Sequence, residues 1–326
     1  MVPFAIAGVQ MPVSAAHQNV TAMGQRLDLL LGRFPWVQMA VFSELAPFGP
    51  LLSHAQILPG PTEHAFQEMA ARRRVWLIPG SMFERVGDRV YNTALAIDPR
   101  GEVVARYRKM FPFRPHEQGV EGGTEFCAFD VPGVGRFGVS ICYDIWFPET
   151  TRSLVSQGVE VLLHPTLTGT VDRDVELAIV RATAAMFQCY VIDVNGLSDG
   201  GVGRSCIVDP AGTLLHQAGG QEELFPIEVD LRAVRRQREV GLHGLGQPLK
   251  SFRDRSVEFP VYDRASGADA YLHTLGPLEM PKRGSRAGLD APPPGQRTAT
   301  AAPLVERPAA PDLVAARAPL PDMEPL

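Results

Sequence analysis

The chain has 326 residues, 45% of them apolar and 21% charged, with a formal net charge of -5, proportions ordinary for a globular protein with a sizeable core. Its Lys and Arg residues are scattered rather than clustered, which gives no support to a nucleic-acid or anionic-membrane partner. No stretch approaches the roughly 18 to 20 apolar residues of a membrane span.

In chain order, the opening run MVPFAIAGVQ is apolar but lacks a basic flank and is broken by Gly8 and Gln10. It reads as a first strand rather than a signal peptide, and a cytosolic location is expected. Short β-rich runs then alternate with helical patterns: an amphipathic segment over residues 20–31, the strand VQMAVFSE, a helix over 63–73 and the strand-like VWLIPGSMFER. This is the rhythm of an α/β domain whose sheets are covered by helices. After GVSICYDIWFPE the pattern continues with a helix over 148–157, the buried strand VEVLLHPT, a helix over 173–187 and the strand CYVIDVN.

Two segments repeat one another. ALAIDPRGEVVARYRK and SCIVDPAGTLLHQAG both place D-P-x-G between strand-like runs. Proline presets the second position of a type I turn, with Asp and Gly suited to its ends, so each predicts a hairpin. Two such hairpins suggest two half-domains and hence two sheets packed face to face with helices outside. The main domain is expected over residues 1–262. Residues 263–290 form a possible arm at a subunit interface, with 267–280 its strongest part, and in the flexible tail expected over 291–326 half of the residues are Pro or Ala.

The four cysteines, Cys127, Cys142, Cys189 and Cys206, lie far apart with no C-x-x-C, which suggests neither a zinc site nor a disulfide framework. A cysteine at a strand end is most often a packed core residue. Cys142, however, is followed at once by Tyr143, Asp144 and a helix start near Pro148, and backbone N–H groups at such a junction favour a thiolate or hold an oxyanion. His116 and His164 qualify by residue type as its base, although His164, after three apolar residues, reads better as a satisfied strand-end histidine. Glu44 ends the apolar run MAVFSE, and Lys109 sits among aromatics and Pro in ARYRKMFPF. Ionisable groups at the ends of buried runs are either paired on the surface or working. Glu117, in the Gly-rich loop PHEQGVEGG, reads by itself as a solvated charge.

Taken together, FSELAPFG around Glu44, RYRKMFPFRPHEQG around Lys109 and GVSICYDIWFPET around Cys142 resemble the nitrilase superfamily of carbon-nitrogen hydrolases, over roughly residues 3 to 235. The resemblance implies a four-layer αββα sandwich, and assembly as a homodimer or higher homo-oligomer. It also implies roles. Cys142 would be the nucleophile, Glu44 the general base and acid, and Lys109, with the Tyr143 N–H, the stabiliser of the tetrahedral intermediate. Glu117 would be the second glutamate, which positions substrate in amidases. Such chemistry requires a small amide and water, and neither a metal nor an organic cofactor.

Within the superfamily, Tyr143-Asp144 matches the pattern of amidases, whereas nitrilases usually carry Trp-Glu there. The motif is similar to CYDxRFPE of amidases acting on carboxylate-bearing amides, but Trp146 replaces the Arg. An aromatic cannot supply a bidentate fork, so a neutral substrate is expected, with His116, Trp146 and Phe147 near the pocket. The loop FRPHEQGVEGG aligns with the corresponding loop of aliphatic amidases. Nitrile or N-carbamoyl hydrolysis is the alternative, and acyl transfer to an amine or an idle scaffold the alternatives of another class.

Overall fold

The computed structural model describes residues 3–280. A larger sheet runs in the strand order Glu223–Val229, Phe4–Gln10, Met39–Phe42, Trp76–Ile78, Arg89–Ile97, Ser81–Val86, with Val103–Arg108 and Val120–Glu121 also paired to Arg89–Ile97. A second sheet has the order Leu214–Gln217, Cys206–Val208, Tyr190–Asn195, Val161–Thr166, Gly135–Val139, Cys127–Val131. The run VWLIPGSMFER is thus two strands, because Pro79-Gly80 interrupts it: Gly80 has φ +76, and a Cβ there would lie 1.8 Å from the Ser43 carbonyl oxygen.

Alternation along each strand assigns its two faces. Ile6, Met39, Val41 and Ile78 of the first sheet share one core with Phe137, Val139, Leu163 and Ile192 of the second. Their neighbours point the other way. Ala7, Val9, Ala40 and Leu77 pack with Met23, Leu27 and Leu30 of the helix Val20–Arg33 and Phe66 of the helix Pro61–Arg73. On the second sheet Leu162 and Val191 pack with Leu154 of the helix Pro148–Ser156 and Val180 and Phe187 of the helix Arg173–Phe187. Each sheet therefore has an inner face on the other sheet and an outer face under helices.

The repeated D-P-x-G segments form equivalent hairpins, one in each sheet. Ile97 pairs with Val103 in the first and Val208 with Leu214 in the second. In the first, Asp98 Oδ1 accepts from the N–H groups of Arg100 and Glu102 at 2.8 and 3.0 Å. In the second, Asp209 Oδ1 accepts from Ala211 and Thr213 at 2.8 Å each. Gly101 and Gly212 close the turns with φ +88 and +82, values that only glycine adopts readily.

One compact unit takes in the chain up to Val257 together with Leu278–Met280, and Glu258–Pro277 belong to a second. The latter holds two short 3-10 turns, Pro260–Tyr262 and Leu272–Leu275. Residues 281–326, with the rest of the expected arm and the Pro/Ala-rich segment, lie outside the described residues. No helix among the described residues is long and apolar enough to cross a membrane.

Candidate active site

Glu44 follows the strand Met39–Phe42, Lys109 the strand Val103–Arg108, and Cys142 the strand Gly135–Val139. These strand ends open on a cavity of about 540 Å³ whose polar lining is Glu44, Lys109, Glu117, Cys142, His116 and Gln118. Parallel strands such as Met39–Phe42 and Val161–Thr166 present their carboxyl ends here, where open α/β sheets generally hold ligands. The opposite walls are apolar: Leu45, Phe83 and Val120 form a small buried cluster against which Leu167 packs.

The ionisable groups are in direct contact. Lys109, 1% exposed, donates from Nζ to Glu44 Oε1 and to Glu117 Oε2, each at 2.8 Å. Asn92 ties the trio together. Its Nδ2 donates to Glu44 Oε1 at 2.8 Å and to Glu117 Oε1 at 3.4 Å, and its carbonyl accepts the Lys109 N–H at 2.8 Å. Glu117 also accepts the Phe113 N–H, which fixes the loop over the ammonium.

Cys142 opens the 3-10 turn Cys142–Trp146 with φ +47. A side chain in this left-handed region costs about 1–2 kcal/mol, and surrounding contacts must hold it there. Asp144 supplies them. Oδ2 accepts from the Ile141 N–H at 2.9 Å and the Tyr107 hydroxyl at 2.7 Å, and Oδ1 from the Phe111 N–H at 2.9 Å. The turn that carries the thiol is thereby anchored to the strand and loop that flank the lysine.

Electrostatics follow from burial. Removal from water raises the Glu44 carboxyl to about 7, a rise that Lys109 opposes and Glu117 reinforces. Burial alone would lower the Lys109 ammonium, but Glu44, Cys142 and Glu117 hold it well above its ordinary value, so it stays charged. Burial and the Glu44 charge push the Cys142 thiol up, against the pull of Lys109. The site therefore rests with a neutral thiol, a charged ammonium and a carboxyl that takes or gives a proton near neutrality.

The structure brings Glu44, Lys109, Glu117, Cys142 and His116 to one cavity, with the His116 ring stacked on Phe113 at 4.9 Å between centroids. Tyr143, Trp146 and Phe147 do not line it. The Tyr143 ring lies edge-on to Phe113 at 5.0 Å, Phe147 stacks on Phe111 at 3.7 Å, and Trp146 is 36% exposed at the far end of the turn. His164 is buried, bonded through Nδ1 to Ser140 Oγ at 2.8 Å, and lowered by burial to about 4. It stays neutral and away from the cavity, as a strand-end histidine.

Asn92, Asp144 and Tyr107 carry site geometry that sequence reasoning did not assign to them. A signal existed for Asn92, which with Thr93 interrupts the apolar strand RVYNTALAI. Tyr107 gave none, since a strand tyrosine is ordinary.

A family model described as carbon-nitrogen hydrolase matches residues 6–239. Among similar proteins, deaminated glutathione amidase of Dictyostelium discoideum is 30% identical over 195 residues, 53% of this chain and 67% of that protein. Omega-amidase NIT2 of Homo sapiens is 27% identical over 201 residues, 57% of this chain and 72% of that protein. Among solved structures, Nit3 of Saccharomyces cerevisiae, a member of branch 10 of the nitrilase superfamily, has a TM-score of 0.66 at 22% identity, covering 72% of this chain and 93% of its own. An amidase from Nesterenkonia sp. has a TM-score of 0.63 at 22% identity, covering 72% and 94%. The chain belongs to the carbon-nitrogen hydrolase family, and is a hydrolase acting on carbon-nitrogen bonds other than peptide bonds.

Proposed function

We propose that the protein is a cysteine-dependent amidohydrolase that cleaves a small, neutral amide through a thioester acyl-enzyme and releases ammonia or a small amine. The observation that carries this reading is the contact of Lys109 with both Glu44 and Glu117 in the cavity that exposes Cys142.

In the first half-reaction the Cys142 sulfur attacks the amide carbonyl while its proton passes to Glu44, which lines the same cavity. The oxyanion that forms is stabilised by the Lys109 ammonium and the Tyr143 N–H. As the intermediate collapses, Glu44 returns the proton to the leaving nitrogen, the C–N bond breaks and the thioester remains. In the second half, water attacks the thioester and gives a proton to Glu44. The C–S bond then breaks and Glu44 reprotonates the sulfur. One group with a pKa near the working pH serves as base and acid in turn. Glu117 holds the lysine and orients the amide nitrogen.

The neutral acyl group is supported by the cavity rather than by Trp146, which lies outside the lining. Among the described residues Lys109 is the one Lys or Arg that lines the cavity, and it already binds two carboxylates, so a substrate carboxylate finds no unpaired Lys or Arg there against an apolar wall. Two of the relatives are named omega-amidase and deaminated glutathione amidase. The Nesterenkonia amidase has been crystallised with butyramide.

A panel of primary amides tests both parts. Ammonia release is expected from uncharged aliphatic and aryl-alkyl amides, at least about tenfold faster in kcat/KM than from amides of matched length ending in a carboxylate, and is expected to vanish in Cys142→Ala. Undiminished turnover in Cys142→Ala overturns the mechanism, and a preference for the carboxylate series overturns the substrate class. Added hydroxylamine separates hydrolysis from acyl transfer, because a transferase makes hydroxamate faster than acid. The reading also takes residues 1–262 as the catalytic domain of a homodimer or higher homo-oligomer, with 263–290 as an interface arm, to be checked by light scattering with and without the arm. The cytosol is the proposed compartment, in keeping with four free, buried cysteines.

A further inference from the structure

Behind the nucleophile lies a buried ionic cluster that the amide chemistry does not use. The strand Val161–Thr166 ends at Thr166, and the chain runs on through Leu167 and Thr168. This tripeptide carries much of the site. The Leu167 carbonyl accepts from Cys142 Sγ at 3.9 Å, the Thr166 carbonyl accepts the Glu44 N–H at 3.2 Å, and the Leu167 side chain forms part of the cavity wall.

The Thr166 and Thr168 side chains lie on one side of this segment. There both hydroxyls meet one carboxylate. Thr166 Oγ1 donates to Glu176 Oε1 at 3.0 Å and Thr168 Oγ1 to Glu176 Oε2 at 2.6 Å. Asn195 holds the same segment along its backbone, accepting the Thr168 N–H and donating to the Thr168 carbonyl, each at 3.0 Å. Glu176 is fixed in turn by Arg173 Nη1 at 2.7 Å, while Arg173 Nη2 bonds Asp193 and, at 2.8 Å, the Arg204 carbonyl. Glu176, Arg173, Asp193 and Thr166 are all buried.

Two carboxylates against one guanidinium make a poor device for stability, since apolar side chains of the same volume often serve as well or better. What such a cluster supplies here is direction. A carboxylate with both oxygens committed to residues i and i+2 holds the intervening residue in place, and that residue touches the thiol.

We propose that Glu176 is a positioning residue for the nucleophile: by accepting from Thr166 and Thr168 it sets the tripeptide on which the Cys142 thiol, the Glu44 backbone and one cavity wall depend. Its charge also faces the sulfur, together with Glu44 and Lys109, and opposes ionisation of the thiol. The inference takes Cys142 as the nucleophile and goes beyond it.

The test uses the full chain with Glu176→Gln and Thr168→Val. Gln keeps the size but offers one acceptor in place of two and no charge. Val keeps the charge and removes one hydrogen bond. For Glu176→Gln the expected result is a fall in kcat of about 10- to 100-fold, the size seen when the hydrogen-bond partners that orient metal ligands are removed, with KM within about threefold. In the same variant the pH midpoint for alkylation of Cys142 by iodoacetamide should move down, a shift that a merely structural role would not produce. Thr168→Val should lower kcat without moving that midpoint. It decides the matter alone if Glu176→Gln does not fold. Wild-type kcat in Thr168→Val, or an unmoved midpoint in Glu176→Gln, overturns the proposal. Neither result touches the reading of Cys142, which fails only if Cys142→Ala remains active.

Discussion

The Tyr107 hydroxyl donates to Asp144 Oδ2 at 2.7 Å, and this bond joins the strand that leads to the lysine with the turn that carries the cysteine. Lys109 and Cys142 come from different sheets, so nothing local sets their separation. Asp144 reaches toward the first sheet through Tyr107 and toward the loop after Lys109 through the Phe111 N–H. Burial raises its carboxyl to about 6.

Tyr107→Phe keeps the ring and removes this one donor. It is expected to cost about 1–3 kcal/mol of unfolding free energy, since a buried acceptor loses a partner, and to lower kcat without raising KM. Denaturant unfolding and the ammonia assay read the two effects. Full retention of kcat would show that the Ile141 and Phe111 N–H groups hold the turn without the tyrosine.

Glu44→Gln retains an amide oxygen for Lys109 and Asn92 but cannot carry a proton. A loss in kcat of about 10²- to 10⁴-fold is expected, the range for a general base, with a thermal midpoint near that of the wild type. Residual activity above a tenth of wild type would mean that another group moves the proton.

The rise of kcat/KM with pH is expected to have its midpoint near 7, where buried Glu44 ionises. Glu117 helps to raise Glu44 by repulsion. Glu117→Gln removes that negative charge, so the midpoint should move to lower pH even as substrate positioning weakens and KM increases. A midpoint that stays or moves upward in Glu117→Gln would exclude Glu44 as the titrating group.

Gly80→Ala tests the joint between the strands Trp76–Ile78 and Ser81–Val86. With φ +76 and a Cβ position 1.8 Å from the Ser43 oxygen, alanine must displace the backbone immediately before Glu44. Loss of at least about 2 kcal/mol of stability is expected, because both the left-handed conformation and the clash act against the side chain. A soluble variant should also lose kcat. Unfolding curves and kinetics at a temperature below the variant's midpoint separate the two.

The sequence by itself determined the local elements and the candidate side chains. Short continuous apolar runs such as MAVF and VLL and helical patterns over 20–31 and 173–187 specify elements locally. The two D-P-x-G turns encode one hairpin in each sheet, because Asp, Pro and Gly shape a turn without help from distant residues. Glu44 and Cys142 were legible as candidates because each ends an apolar run and Lys109 because it sits among aromatics and Pro, and the three motifs together carried the resemblance.

Only the tertiary structure decided what these groups touch. Trp146, two residues before Pro148, has no local reason to face outward, but the 3-10 turn leaves it at the far end from the thiol. Asn92 reaches the site from another strand, and a hydrogen bond between residues 48 positions apart, as from Asn92 to Glu44, leaves no spacing pattern to read. The strained φ of Cys142 is of the same kind: the local sequence would not choose it, and the bonds of Asp144 to Tyr107, Ile141 and Phe111 hold it in place.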